Sequence, residues 1–170
     1  MNYLRERFTY DHEEGCLRWQ ELNDNYVYIR PDGTVENNVS TMSRVKPGTV
    51  AGKMGIGEYR IKRRGQSNDK SCGLRMIWQH VTGELIMGRI RTMNPRDMKF
   101  SIDNLYVVPN GQLRVHKDRA KNRVVVSYCF ERKQYTTVAV NHDYNKQILS
   151  YHNNMNDAIE ASNKPEVSFL

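Results

Sequence analysis

The stretch Val124-Val125-Val126-Ser127-Tyr128-Cys129-Phe130, Glu131-Arg132-Lys133-Gln134, Tyr135-Thr136-Thr137-Val138-Ala139-Val140 decides the fold class. Val124, Val126, Tyr128 and Phe130 recur at every second position, the period at which a strand turns one face toward a core. Glu131 to Gln134 is polar and predicts a turn. Tyr135 to Val140 predicts a second strand and Ile148 to Tyr151 a third. Asn154 to Ala161 reads as a short helix. Asn153 or Asn154 caps it, because an Asn side chain can accept from an unpaired amide of the first turn. Three strands and one helix make a small α+β unit. At about 45 residues it is near the lower size limit for independent stability, so it is expected to lean on the rest of the chain.

Working upstream, Ile102 to Val108 is an apolar stretch that Pro109-Asn110-Gly111 ends. Asn94-Pro95-Arg96-Asp97 turns the chain after a short extended piece, Ile86 to Met93. Leu74, Met76, Ile77, Trp78 and Val81 have helical spacing, and Gly83 stands where a helix C-terminus favours glycine. Gly48 to Lys62 carries four glycines, then Glu58-Tyr59-Arg60-Ile61-Lys62 in strict alternation, a strand that turns at Gly65. Gly52, Gly55 and Gly57 are not a phosphate loop, since no Gly-Lys-Ser/Thr follows and no helix opens there. Residues 21–47 are polar, with turn signals at Pro31-Asp32-Gly33 and Pro47-Gly48, and read as an extended insertion. Phe8 to Trp19 predicts a hairpin reversing around Asp11 and Gly15.

The chain has 170 residues, 26 of them Lys or Arg against 19 Asp or Glu, a formal charge of +7. The apolar share is 38%, which predicts a thin core, although ten Tyr, two Trp and four Phe supply large pieces for it. No apolar run approaches the ~18 residues that span a bilayer, and the N-terminal stretch lacks a signal peptide's apolar run. Cys16, Cys72 and Cys129 are too scattered for a disulfide framework or a zinc clip, which predicts a reduced, cytoplasmic protein. Residues 1–24 hold three basic and six acidic side chains, whereas residues 44–64 hold seven basic and one acidic. A basic centre between mildly acidic ends outlines a polyanion binder. Arg60, Lys62, Arg63 and Arg64 are its densest cluster, and Arg60 and Lys62 can share a strand face. Arg114, Lys117, Arg119, Lys121 and Arg123 form a second basic run, read as a linker.

The order of these pieces resembles phage-type HNH endonucleases of the homing kind. Tyr10-Asp11 with Gly15-Cys16-Leu17-Arg18-Trp19 matches the opening hairpin of that family. Ala51-Gly52 and Gly57-Glu58-Tyr59 match its glycine-tyrosine strand, and Leu74-Arg75-Met76-Ile77-Trp78 with Thr82-Gly83 matches its tryptophan helix. Arg91-Thr92-Met93-Asn94-Pro95 falls at the nuclease motif, followed by Asn104-Leu105 at matching spacing. The likeness covers residues 8–108. Residues 123–162 resemble, more loosely, the Apetala-type DNA-binding module that often follows such nucleases. Leu149 to Ala161 keeps that module's closing pattern, and Tyr135 stands at its strand tryptophan. The resemblance implies a ββα-metal domain over 1–110 with 21–47 inserted, a basic linker over 111–122, and a DNA-binding module over 123–170. It also implies double-stranded DNA as the partner, with no membrane, in the cytoplasm of an infected bacterium.

The departures from the family pattern bear on catalysis. In the family a histidine acts as general base on water, and an aspartate and a later asparagine help to hold one divalent cation. Thr92 stands at the histidine position, and a hydroxyl is no base at neutral pH. Arg91 stands at the aspartate position and puts a fixed positive charge where the cation would bind. Phe100 falls near the later asparagine, and Leu74 replaces a helix histidine. Asn94 and Asn104 remain, in types suited to closing turns. The expectation is a kept fold with a lost nuclease centre and no cofactor. DNA would be held by Arg60, Lys62, Arg63, Arg64, Arg91, Lys117, Arg119 and Lys121, with Arg91 replacing the metal by a guanidinium against phosphate.

Two other readings stay open. Asp97 and Asp103 could hold a displaced Mg²⁺ in an active endonuclease with relocated ligands. Alternatively, a decayed phage nuclease could bind and inhibit a host protein. The five histidines lie apart in sequence. His12, beside Glu13 and Glu14, reads as a solvated hairpin tip. His80 reads as a capping or surface residue, whose protonated form would favour the helix C-terminus. Trp19 and Trp78 read as core, while Tyr59 and Tyr135 could be either core or base-stacking platforms.

Overall fold

A computed structural model of the chain describes residues 3–21, 27–29, 35–37, 46–56, 58–62, 70–97, 99–110 and 122–163. The chain enters through a short helix, α1 (Tyr3–Arg7), and the hairpin β1 (Phe8–Asp11) and β2 (Cys16–Trp19), paired from Phe8↔Trp19 to Asp11↔Cys16. Asp11 Oδ1 accepts from the Glu14 amide at 3.0 Å and closes the turn. Gly15 then takes φ +63°, where a Cβ would collide with the backbone of Phe100 and Ser101. The expected hairpin is therefore seated on a loop far along the chain.

A second hairpin joins β3 (Val27–Ile29) and β4 (Val35–Asn37) inside the polar insertion. A three-stranded antiparallel sheet follows: β5 (Lys53–Gly55), β6 (Glu58–Lys62) and β7 (Lys70–Cys72), in that order. The helix α2 (Gly73–Thr82) begins where β7 ends and buries Leu74, Met76, Ile77 and Trp78 on one face. Gly83, at φ +79°, returns its amide to the Gln79 carbonyl and ends the helix as expected. The guanidinium of Arg5 donates to the exposed His80 carbonyl at 3.0 Å, satisfying part of that terminus.

Five strands make the second sheet: β8 (Gly88–Thr92), β9 (Leu105–Pro109), β10 (Arg123–Cys129), β11 (Gln134–Val140) and β12 (Lys146–His152). Their order follows the chain, an antiparallel meander. A single 3₁₀ turn, Ile102–Asn104, leads into β9. The helix α3 (Met155–Ser162) closes the described chain, with Asn154 Oδ1 accepting from the Asp157 amide at 2.9 Å. Asn154, one of the two expected caps, does the capping.

The α+β class is thus observed, with few helices and several small antiparallel sheets. The three strands and helix expected at the C-terminus are present. Their sheet continues through Val126↔Val107 into β9 and β8, so strands on either side of residues 111–122 are neighbours. One apolar cluster runs from Leu4 through Trp78 to Ala158, and α2 packs against both sheets. The C-terminal unit therefore shares its core with the rest of the chain.

Candidate nucleic-acid interface

The residues that the resemblance aligns with a nuclease motif are built into the fold. Thr92 ends β8 and is buried, and Leu74 and Phe100 lie in the apolar cluster. Phe100 stacks on the Tyr59 ring with the centroids 5.7 Å apart and the planes within 3°. Asn94 and Asn104 close the loop between them. The Asn94 amide donates to Asn104 Oδ1 at 3.1 Å, and the Met93 amide to the Asn104 carbonyl at 2.7 Å. Asn94 Oδ1 in turn accepts from the Arg96 amide at 3.0 Å. Arg91 is half-buried on β8, opposite Tyr106 in register.

The fallback metal ligands are spent on loops. Asp97 Oδ1 accepts from the Lys99 amide at 2.9 Å, and Asp103 Oδ1 from the Phe130 amide at 3.1 Å. Among the described residues no three His, Cys, Asp or Glu side chains gather as metal ligands would.

Two histidine expectations need correction. His12 is no free hairpin tip. Its ring stacks on Phe130 at 4.2 Å and 12°, and Nε2 lies 3.4 Å from Asp103 Oδ2. These partners are distant in sequence, so nothing near residue 12 could show them. His80 is no charged cap either. Its Nε2 lies 2.8 Å from the Phe8 carbonyl, which can only accept, so that nitrogen carries the proton. Burial pulls the His80 pKa below the ordinary value and favours the neutral ring, helped by the Arg5 charge and opposed by the Phe8 bond.

The two ambiguous tyrosines are both core. Tyr135 is buried beside Tyr128 and Trp78. Tyr59 is the joint of the N-terminal half. Its hydroxyl donates to the Ala51 carbonyl at 2.6 Å and accepts from the Leu17 amide at 3.1 Å, bringing β2 and residue 51 to β6. Burial pushes its pKa up to about 12. Neither ring is open to a base.

On the three-stranded sheet the exposed described side chains include Lys53, Glu58 and Arg60. On β6, Tyr59 and Ile61 point inward and Arg60 outward, as the alternation predicts. Across the sheet, Lys53 on β5 stands directly opposite Arg60, and Lys62 on β6 stands opposite Lys70 on β7. Arg60 and Lys62 lie two residues apart on one strand, so both like-charged pairs occupy register positions of one face. Directly opposed like charges destabilise an antiparallel pair. The only acid on these strands is Glu58, whose carboxylate contacts the Arg60 guanidinium. Sequence reasoning found Arg60 and Lys62 but missed Lys53 and Lys70. The signal was available only as a hairpin register, with Lys53 and Arg60 equidistant from residues 56 and 57. Arg63, Arg64, Lys117, Arg119 and Lys121 lie outside the described residues. No family model, curated protein or solved structure matches the chain.

Proposed function

We propose that this chain binds double-stranded DNA through the solvent face of its three-stranded sheet and does not cleave it. The observation that carries the reading is the pair of opposed cations, Lys53 with Arg60 and Lys62 with Lys70. Such a register costs stability in the free protein and gains it back where phosphates lie between the charges. Arg63 and Arg64 follow Lys62 in sequence, and with Arg91, Lys117, Arg119 and Lys121 they would extend the contact. The scaffold is a ββα-metal nuclease domain of phage type, followed by an Apetala-like module, whose catalytic positions now serve packing. Thr92 and Phe100 are buried, and neither can act as a base or hold a cation at neutral pH.

Fluorescence anisotropy of a labelled mixed-sequence duplex tests the reading. Between about 50 and 200 mM salt, a protein touching six or more phosphates loses roughly a thousandfold in affinity. Absence of binding at the lower salt overturns it. Nicking of supercoiled plasmid in Mg²⁺, lost in Asp97→Ala or Asp103→Ala, would instead establish the active endonuclease.

A second reading, a phage protein that binds and inhibits a host protein, has one observation in its favour. Leu85 and Met87 precede β8 and are 66% and 83% exposed, with Arg89 exposed just beyond. Side chains of that size in water mark a contact surface when they adjoin one another. Stoichiometric retention of one purified host protein, lost on Met87→Glu and kept after nuclease treatment, would favour it over DNA.

A further inference from the structure

The inference drawn here rests on the DNA reading and concerns the leading edge of the same sheet. Gly55 pairs with Glu58, so only Ile56 and Gly57 stand between the paired residues of β5 and β6. Two-residue hairpin connections favour Asn-Gly, Asp-Gly or a leading glycine, residues that turn easily and are at home in water. Ile56 is neither. It is β-branched, apolar and 76% exposed. The core does not use it, since Tyr59 and Ile61 already supply the buried side of β6. What stands out is the side chain, not the backbone: a large apolar group in water beside opposed cations.

The surroundings name the function. β7 pairs with β6 only over Arg60 to Lys62, so the tip of the β5–β6 ribbon reaches past the third strand. Behind the tip stand the opposed cations Lys53 and Arg60. A two-stranded ribbon with cations on its arms and an apolar residue at its tip matches the minor groove of duplex DNA. There the arms meet the phosphates of both groove walls, and the tip can enter between base pairs, unstack them and bend the duplex.

We infer that Ile56 is a wedge that inserts at a base-pair step in the minor groove and kinks the bound duplex. Two consequences follow. Pyrimidine–purine steps unstack most easily, so a TA step is the preferred point of entry. Glu58 is the internal counter-ion of the ribbon: it holds Arg60 in the free protein and yields to a phosphate on binding.

The test follows binding and bending on one sample. A duplex of about 25 base pairs, labelled at both ends and carrying a central TA step, is titrated with the full chain while anisotropy and end-to-end energy transfer are recorded. Binding is expected to bring the ends closer, by a bend in the range of about 20–90°. Ile56→Ala, at an exposed site, is expected to fold normally and keep the salt dependence, while losing the bend. It should also lose a preference of roughly tenfold for the TA duplex over one with a central GC step, the scale that one altered step commands. Glu58→Gln is expected to tighten binding several-fold at low salt. A duplex that binds yet stays straight overturns the wedge and leaves the DNA reading standing, as does a full bend with Ile56→Ala. An unchanged affinity in Glu58→Gln removes the ribbon from the phosphates. No anisotropy change at all removes the DNA reading and the wedge together.

Discussion

Cross-strand partners in the five-stranded sheet are Val125 with Val138, Val126 with Thr137 and Tyr128 with Tyr135, whereas those in the three-stranded sheet are Lys53 with Arg60 and Lys62 with Lys70. The middle strands of the first sheet, β9 to β11, bury side chains on both faces. Val126, Tyr128 and Tyr135 belong to the main cluster with α2 and α3, while Val125, Val138 and Val140 join Tyr106, Val108 and Met93 on the other side. Among its described side chains, the second sheet buries Tyr59 and Ile61 on one side of β6 and leaves Lys53, Glu58 and Arg60 exposed. Pairing that maximises apolar burial serves stability. Pairing that sets cation against cation does not serve stability, and on the proposed reading it serves a bound phosphate backbone. One helix, α2, packs against both sheets.

The strongest way to break this comparison is to remove the shared support. Trp78 is fully buried on α2, with ring centroids 6.5 Å from Tyr128 and 6.4 Å from Tyr135. Trp78→Ala is expected to cost about 3–5 kcal/mol. Urea unfolding followed by far-ultraviolet circular dichroism and by Trp19 fluorescence should show one transition at a lower midpoint. Two separate transitions in the unmodified protein would mean that the sheets fold independently.

Tyr59→Phe sharpens the contrast by acting on one side. It leaves the Leu17 amide and the Ala51 carbonyl without their partner, at a cost of about 1–3 kcal/mol. Hydrogen exchange should speed up in β2 and β6 more than in β10 and β11. Equal acceleration everywhere would contradict a local joint.

The pH dependence is a further check on the support. The folded-state pKa of His80 lies below its unfolded value, so below about pH 6.5 the unfolded chain binds more protons than the folded one. The neutral His80 contribution is therefore complete above that pH and is lost as the pH falls through it. Urea midpoints measured from pH 8 down to 5 should decline, with a shallower slope in His80→Gln. An unchanged slope would take His80 out of the account.

The smallest effect bears on the three-stranded sheet itself. Lys53→Gln removes one of two opposed cations and is expected to raise stability by about 0.2–1 kcal/mol at low salt. DNA affinity should fall at the same time, with the salt slope reduced by about one. A variant that loses stability and keeps its affinity would mean that the pair is not held apart for an anion.

Much of the fold was legible because its signals are local. The alternation at Val124, Val126 and Tyr128, the spacing of Leu74, Ile77 and Trp78, and the glycine at 83 each act within a few residues. Asn94 and Asn104 were readable as loop closers for the same reason. The candidate site was half legible. Arg60 and Lys62 lie on one strand and announce themselves, but Lys53 and Lys70 join them only through inter-strand register. His12 meets Asp103 and Phe130, and His80 meets Phe8, across separations that no periodicity reports.

By itself the sequence determined the C-terminal strands and helix, the Leu74–Trp78 helix, the opening hairpin and the basic centre of the chain, since each depends on residue type and short-range spacing. Only the tertiary structure decided that the C-terminal strands extend β8 and β9 rather than stand alone, that Tyr59 is a buried joint, and that four cations lie in opposed pairs. Those outcomes depend on which distant segments become neighbours. That choice is set by the burial of a common core around α2, whose free energy belongs to no single stretch of the chain.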